Sequence, residues 1–234
     1  MQYRVLAADY DGTLAQDGAV DKPTVAALER LKASGRLLVL VTGRRLEELL
    51  DVFPQLNLFE SAVVENGAVL YSPASATERR LVDAPHPAFA ELLRRSGVTP
   101  LVEGRVIVAT TDEHRDTVLA AIEELGLELQ LIFNKGSVMV LPPGVNKATG
   151  LLTALGEMGV APENVVGVGD AENDHSFLAA CGCSVAVHNA LGALMEKAHL
   201  VTRSDAGEGV IELIDALLED DLAGALERGA LGGG

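Results

Sequence analysis

Short runs of Val, Leu and Ala alternate along the chain with longer segments whose apolar residues recur at helical spacing. That is the pattern of a parallel sheet covered by helices. The first run is RVLAA, residues 4–8, and the second is LLVLV, 37–41. Neither alternates with polar residues, so both predict strands buried on both faces. Between them PTVAALERLKASG, 23–35, has Pro23 in its first turn and Gly35 as its stop, which predicts the crossover helix. A helix over 44–53, a strand over 61–65 and a hairpin return through Asn66-Gly67 to residue 71 follow.

The texture then changes. SPASATERR, 72–80, and Pro85-His86-Pro87 read as loop and as a domain border. From about 87 to 142 the order is helix AFAELLRRSG, strand GRVIVATT, helix EHRDTVLAAIEELG, and two adjacent strands, LELQLIFN and SVMVLP, meeting at Lys135-Gly136. This predicts an inserted α+β module with antiparallel pairing in its last two strands. Pro142-Pro143-Gly144 close it. The strand-helix alternation resumes with a helix from Lys147, strand NVVGVG, helix ENDHSFLAACG, strands SVAV and HLVT, and a last helix GEGVIELIDALLEDD. The expected layout is a core of residues 1–80 and 145–234 interrupted by a module of 81–144. The Gly-rich end reads either as a linker or as a cut beyond which the native chain continues, and a domain of a longer protein is one expectation.

Composition narrows the partners. The 234 residues are enough for a substantial core. Eighteen Lys and Arg against 34 Asp and Glu leave a net charge of −16, which repels nucleic-acid backbones and anionic lipid surfaces. An anionic substrate therefore needs a local positive site or a bound cation. The start, MQYRVLAADYDG, has no basic stretch leading into a long apolar one, and no run of 18 apolar residues occurs. A soluble cytoplasmic protein is the expectation. Cys181 and Cys183 are too close along the chain to favour a disulfide, and His175 and His188 give them no zinc spacing. They are expected to be small buried side chains in a reducing compartment.

In an open parallel α/β sheet the ligand crevice lies beyond the carboxyl ends of the strands. The marked ends are Asp9-Tyr10-Asp11-Gly12-Thr13, Thr42-Gly43-Arg44, Glu65-Asn66-Gly67 and Gly169-Asp170 through Asn173-Asp174, with Lys147 opening a helix beside them. Two carboxylates about 4 Å apart repel by roughly 4 kcal/mol at an effective dielectric near 20. Convergence of Asp9, Asp11, Asp170 and Asp174 therefore calls for a hard divalent ion, with Mg²⁺ the usual choice beside phosphate. The Thr42 hydroxyl, the Gly12 and Gly43 N–H groups, the Asn173 amide and Lys147 are donors suited to phosphoryl oxygens. In-line attack by Asp9 would give an aspartyl-phosphate, with Asp11 moving protons. Arg44 can reach substrate or pair with Glu47 or Glu48 on its own helix. Asn66 can face substrate or serve only the turn. In the module, His114, Arg115, Asn134 and Lys135 are specificity candidates, or a solvated turn and helix surface.

The order DYDGTL, VTGR, Lys147, GDAEND resembles the four motifs of the haloacid dehalogenase (HAD) superfamily. The insertion between the second and third motifs is similar to the C2-type cap of the IIB (Cof-type) phosphatases. The resemblance spans nearly the whole chain. It implies an α/β, Rossmann-like parallel core with helices on both faces and a small α+β cap. It implies Asp9 as nucleophile, Asp11 as acid/base, and Thr42, Lys147 and Asn173 as phosphate contacts. Mg²⁺ would be held by the Asp9 side chain, the Asp11 backbone carbonyl and Asp170, with Asp174 in support. His175 and Phe177 depart from the family pattern, which often has apolar residues and Met there. The implied activity is Mg²⁺-dependent hydrolysis of a small phosphomonoester, a sugar phosphate or a phosphoglycolate-like metabolite, by a monomer or small homo-oligomer. A phosphomutase and a non-hydrolytic phospho-acceptor or regulatory domain are the alternatives. A bare phospho-acceptor needs neither cap nor second carboxylate.

Overall fold

The computed structural model describes residues 1–229 and 231; the rest of the Gly-rich end, expected to be a linker, lies outside the described residues. In chain order the first part comprises β1 (Val5–Ala8), α1 (Lys22–Ala33), β2 (Leu37–Val41), α2 (Leu46–Val52), β3 (Ser61–Val64), β4 (Val69–Ser72) and β5 (Thr77–Arg80). Next come α3 (Ala88–Arg95), β6 (Val102–Glu103), β7 (Val108–Thr111), α4 (Arg115–Leu125), β8 (Gln130–Asn134) and β9 (Ser137–Leu141). The chain then continues through α5 (Lys147–Met158), β10 (Val165–Gly169), α6 (His175–Ala180), β11 (Cys183–Ala186), α7 (Gly192–Met195), β12 (Leu200–Val201), α8 (Ala206–Asp220) and α9 (Ala223–Arg228).

The larger sheet runs β12-β11-β10-β1-β2-β3-β4-β5 and the smaller β6-β7-β9-β8. From β12 to β3 the pairing is parallel; β4, β5 and the whole smaller sheet are antiparallel. β1 lies between β2 and β10, where its unbroken apolar sequence is buried on both faces. Ala8 stands level with Leu40 and Val168. The segments after β1, β2 and β10 therefore emerge side by side at one edge. Among the described residues no helix is long and apolar enough to cross a membrane.

A second, smaller core unites Phe89, Leu93, Val118, Val138 and Val140 from α3, α4 and the smaller sheet. Val106, Ile107 and Met139, although they come from that segment, join the larger core. The expected single strand over GRVIVATT is accordingly broken: residues 104–107 form a turn between β6 and β7 that lies against the larger sheet.

Two further expectations are corrected. Residues 72–80, read as loop, complete β4 and form the edge strand β5, a hairpin with Thr77 opposite Ser72. The polar sequence TERR gave no strand signal because Thr77, Arg79 and Arg80 face solvent, as suits an exposed edge. The helix expected from residue 44 begins at Leu46; Arg45 precedes it and its N–H donates to Glu48 Oε2 at 3.3 Å. Arg44 thereby belongs to the loop after β2.

The Asn66-Gly67 return is a hairpin between β3 and β4, with Glu65 and Asn66 both in the left-handed region at φ +50° and +56°. Gly67 allows the start of α5 to approach: a Cβ there would lie 1.9 Å from Asn146 O. Glu65 is buried and its carboxylate accepts from the N–H groups of Arg105 (2.7 Å), Val106 (2.8 Å) and Ile107 (2.9 Å). One side chain thus fastens the smaller module to the larger sheet. Glu65→Gln puts an amide NH₂ against those donors. A loss of about 1–3 kcal/mol is expected, read by urea unfolding; an unchanged midpoint would show that this carboxylate is not the fastening.

Candidate active site

Asp9 directly follows β1 and is 4% exposed. Lys147 Nζ donates to Asp9 Oδ1 at 2.5 Å and to Asp174 Oδ1 at 2.6 Å. The lysine is placed by α5, whose first turn is capped by Asn146 through the N–H groups of Ala148 (3.0 Å) and Thr149 (3.1 Å). Phe177 packs beside it, with the ammonium 5.8 Å from the ring centroid. The other Asp174 oxygen accepts from Asp170 N (2.8 Å) and Ala171 N (2.9 Å). Asp174 therefore shapes the loop after β10 and orients Lys147.

Asp170 Oδ1 accepts from the Thr13 hydroxyl at 3.1 Å, and Oδ2 accepts from Lys135 Nζ at 2.5 Å. Burial lifts Asp9 well above the usual carboxylate range, Asp174 and Asp170 push it the same way, and Lys147 opposes them. Asp170 is also raised, by burial first, against the pull of its bond to Lys135. Burial alone would lower Lys147, but Asp174 and Asp9 hold it above its ordinary value.

The carboxylates are not left without cations, as the spacing argument assumed: Lys147 serves Asp9 and Asp174, Lys135 serves Asp170, and Arg44 serves Asp11. The oxygen set still fits a hard divalent ion. Asp9, Asp170 and Asp174 each offer a carboxylate oxygen, and these lie within 4.8 Å of one another. Both oxygens of Asp174 and both of Asp170 accept from protein groups, whereas Lys147 takes one oxygen of Asp9.

Asp11 turns the other way. Arg44 clamps it with Nε on Oδ2 and Nη2 on Oδ1, both at 2.7 Å, and lies 5.1 Å from the Tyr10 ring centroid. The expected alternative for Arg44, a pair with Glu47 or Glu48, is not what forms. Arg45 takes Glu48 and Arg105 takes Glu47, because Arg44 leaves the loop beside β1 instead of sitting on α2.

Gly12 also differs from expectation. Its N–H donates to Ala15 O at 2.8 Å and so closes a turn, while its carbonyl accepts from Asn189 Nδ2 at 2.8 Å. Its φ is +85°, and a Cβ would stand 2.4 Å from Asp170 Oδ2, so glycine there admits Asp170 to the site. Thr42 is buried, its hydroxyl accepting from Arg44 N at 3.1 Å. Asn173 Nδ2 donates to Asn66 Oδ1 at 3.0 Å, and Asn66 Nδ2 and Asn173 Oδ1 are buried without partners among the described residues. Gly43 adjoins Asn173 and Met139. These unmade bonds mark where ligand oxygens and protons can be received.

Of the four candidates in the module, only Lys135 reaches the site through its side chain. His114 bonds with Thr99, Arg115 lies over Phe133, and Asn134 ends β8. Thr13, Asn189 and Glu65 are contributors that sequence reading did not assign. Thr13 stands inside DYDGTL beside the aspartates; Asn189 carries no marker beyond lying in the loop after the buried strand β11. A cavity of about 330 Å³ opens beside Asp11, Gly12, Lys135 and Asn189. A larger cleft, about 870 Å³, lies between Thr24, His188 and Glu208 and is lined by none of the clustered aspartates. Cys181 and Cys183 are free and buried, and burial pushes their thiols up to about 12 and about 11.

The chain matches the family described as haloacid dehalogenase-like hydrolase over residues 6–94 and 104–214. It is 31% identical over 225 residues to a phosphoglycolate phosphatase of Methanothermobacter thermautotrophicus, covering 90% of this chain and 97% of that one. It is 28% identical to phosphoglycolate phosphatase 2 of Saccharolobus solfataricus over 221 residues, 92% of each. The fold is similar to that of a haloacid dehalogenase-like hydrolase from Bacteroides thetaiotaomicron, with a TM-score of 0.78 at 20% identity, covering 92% of this chain and 99% of that one. It is likewise similar to a HAD subclass IIB sugar phosphatase, with a TM-score of 0.75 at 20% identity over 92% and 98%. With the four strand-end motifs gathered around Asp9 and Lys147, these matches establish that the chain belongs to the haloacid dehalogenase-like hydrolase family.

Proposed function

We propose that the protein is a Mg²⁺-dependent phosphatase for a small phosphomonoester, with residues 81–144 acting as a cap over the site. The observation that carries this is the buried Asp9 carboxylate held by Lys147 beside Asp170, at the carboxyl edge of the sheet. Relatives named phosphoglycolate phosphatase favour a compact, acidic leaving group, and the cavity of about 330 Å³ suits one.

In this reading Lys147 and the Asn66–Asn173 pair receive the phosphoryl oxygens, with the Thr42 hydroxyl beside them. An Asp9 oxygen attacks phosphorus, the bond from phosphorus to the leaving oxygen breaks, and Asp11 protonates that oxygen. Asp11 then removes a proton from water, whose oxygen attacks the aspartyl-phosphate and restores the Asp9 carboxylate. Arg44 must first release Asp11, and an arriving phosphate gives its guanidinium another anion to bind. The Asp9 and Asp170 side chains and the Asp11 carbonyl would hold Mg²⁺, which when bound neutralises charge on the phosphoryl group.

Metal removal tests this. Phosphate release from a panel of phosphomonoesters that includes phosphoglycolate and sugar phosphates is expected with Mg²⁺ and should fall to background with a chelator. Release that is indifferent to the chelator would remove the metal from the reading. Conversion of a hexose phosphate to its isomer without free phosphate would select a mutase instead.

A further inference from the structure

Lys135 stands at the tip of the β8–β9 hairpin, between Asn134 and Gly136. It and Gly136 occupy the two left-handed positions of the turn, at φ +45° and +82°, where Asn or Gly would be the easier first residue. The side chain extends from the cap into the larger sheet's site. Its ammonium is 2.5 Å from Asp170 Oδ2 and 3.5 Å from the Asp11 carbonyl oxygen, and the Lys135 N–H points to Glu172 Oε2 at 3.4 Å. The Lys135 side chain as a whole is 48% exposed and lines the cavity.

These two oxygens are the ones that, in the function proposed above, belong to the divalent cation. A Mg²⁺ ion ligated by them must stand about 2.0–2.1 Å from each, on the same two oxygens that the ammonium already faces. The two cations exclude one another. We propose that Lys135 is a tethered counter-cation: it neutralises Asp170 while the cap is docked, and the divalent ion must expel it to bind. The coupling is reciprocal, because whatever factor the docked hairpin takes from ion affinity, the bound ion takes from hairpin docking. The expelled ammonium stays on the hairpin beside the cavity, and the site mouth opens as the metal enters. The acidic cluster is thus balanced in both states, by lysine in one and by metal in the other.

The inference rests on the Mg²⁺ site of the proposed function, and its test needs no turnover. Full-length protein and the Lys135→Met and Lys135→Arg variants are titrated with Mg²⁺ by calorimetry without substrate, and amide exchange of residues 130–141 is followed with and without the ion. Lys135→Met should bind Mg²⁺ at least about tenfold more tightly than wild type, since the competing charge is gone. Lys135→Arg should stay within a few fold of wild type. Mg²⁺ should raise exchange at the hairpin tip of the wild type and leave that of Lys135→Met unchanged. Equal or weaker binding by Lys135→Met, or a wild-type hairpin indifferent to Mg²⁺, overturns the proposal, as does a failure of both proteins to bind the ion. Mg²⁺-dependent phosphate release can survive the first two results, so the phosphatase reading falls only by its own assay.

Discussion

Asp9→Asn is expected to lower phosphate release by about 10⁴-fold or more, because the reaction loses its nucleophile and not merely a binding contact. The fold should survive. An amide of the same shape fits the same pocket, and Lys147 keeps its bond to Asp174. Stability should move opposite to activity. Burial, Asp174 and Asp170 raise the Asp9 carboxyl, so the folded chain holds that proton more tightly than the unfolded chain does. Stability from this group is therefore complete below the ordinary carboxylate value near about 4 and declines as pH rises through the raised one. Asn removes the decline. Without divalent ions, thermal unfolding should show Asp9→Asn gaining on wild type between pH 5 and pH 8. Activity within tenfold of wild type would exclude Asp9 as nucleophile.

The second large effect concerns Lys147. It is 1% exposed and bonds two carboxylates that are themselves buried. Lys147→Met keeps an apolar stem against Phe177 but strands both anions, and breaking a buried pair on one side costs about 3–5 kcal/mol. The penalty should depend on pH. With its opposing cation gone, Asp9 is raised further, and the folded state can relieve the stranded charge only by taking up a proton. Stability of the variant then falls as pH rises. Urea unfolding at pH 5 and pH 8 should show the deficit larger at pH 8. A deficit below about 1 kcal/mol that is the same at both pH values would mean that Lys147 is not the counter-charge of the pair. Activity should be lost even where the variant is fully folded, since the same ammonium is assigned to the phosphoryl oxygens.

Much of the site was legible because its residues follow strands whose character is unmistakable. RVLAA, LLVLV and VVGVG are apolar throughout, which marks them as interior parallel strands, and the chemistry of such a sheet collects at their carboxyl ends. Asp9, Thr42 and Asp170 could be grouped from that alone, and Lys147 joins them as the first residue of the helix that precedes β10. Arg44 could not be paired from sequence, because its partner depended on whether it began α2 or preceded it, a one-turn question at a helix start. The edge strand β5 was invisible for a related reason: TERR faces solvent and carries no alternation to read. The Gly12 N–H, which the sequence offers as a phosphate donor, is taken up by the turn to Ala15.

Local pattern and short spacing suffice for the parallel α/β core, the place of the insertion, and the acidic strand ends with their lysine. Which opposite charges meet is a property of the folded chain alone. Arg44 clamping Asp11, Lys135 reaching Asp170 and Glu65 fastening Arg105 join groups 33, 35 and 40 positions apart, and Lys135 also touches the Asp11 carbonyl 124 positions away. No local pattern encodes such pairs; burial leaves Asp170 and Glu65 short of water and requires a partner from wherever the fold brings one, while the half-open Asp11 is met by the arginine of the neighbouring loop.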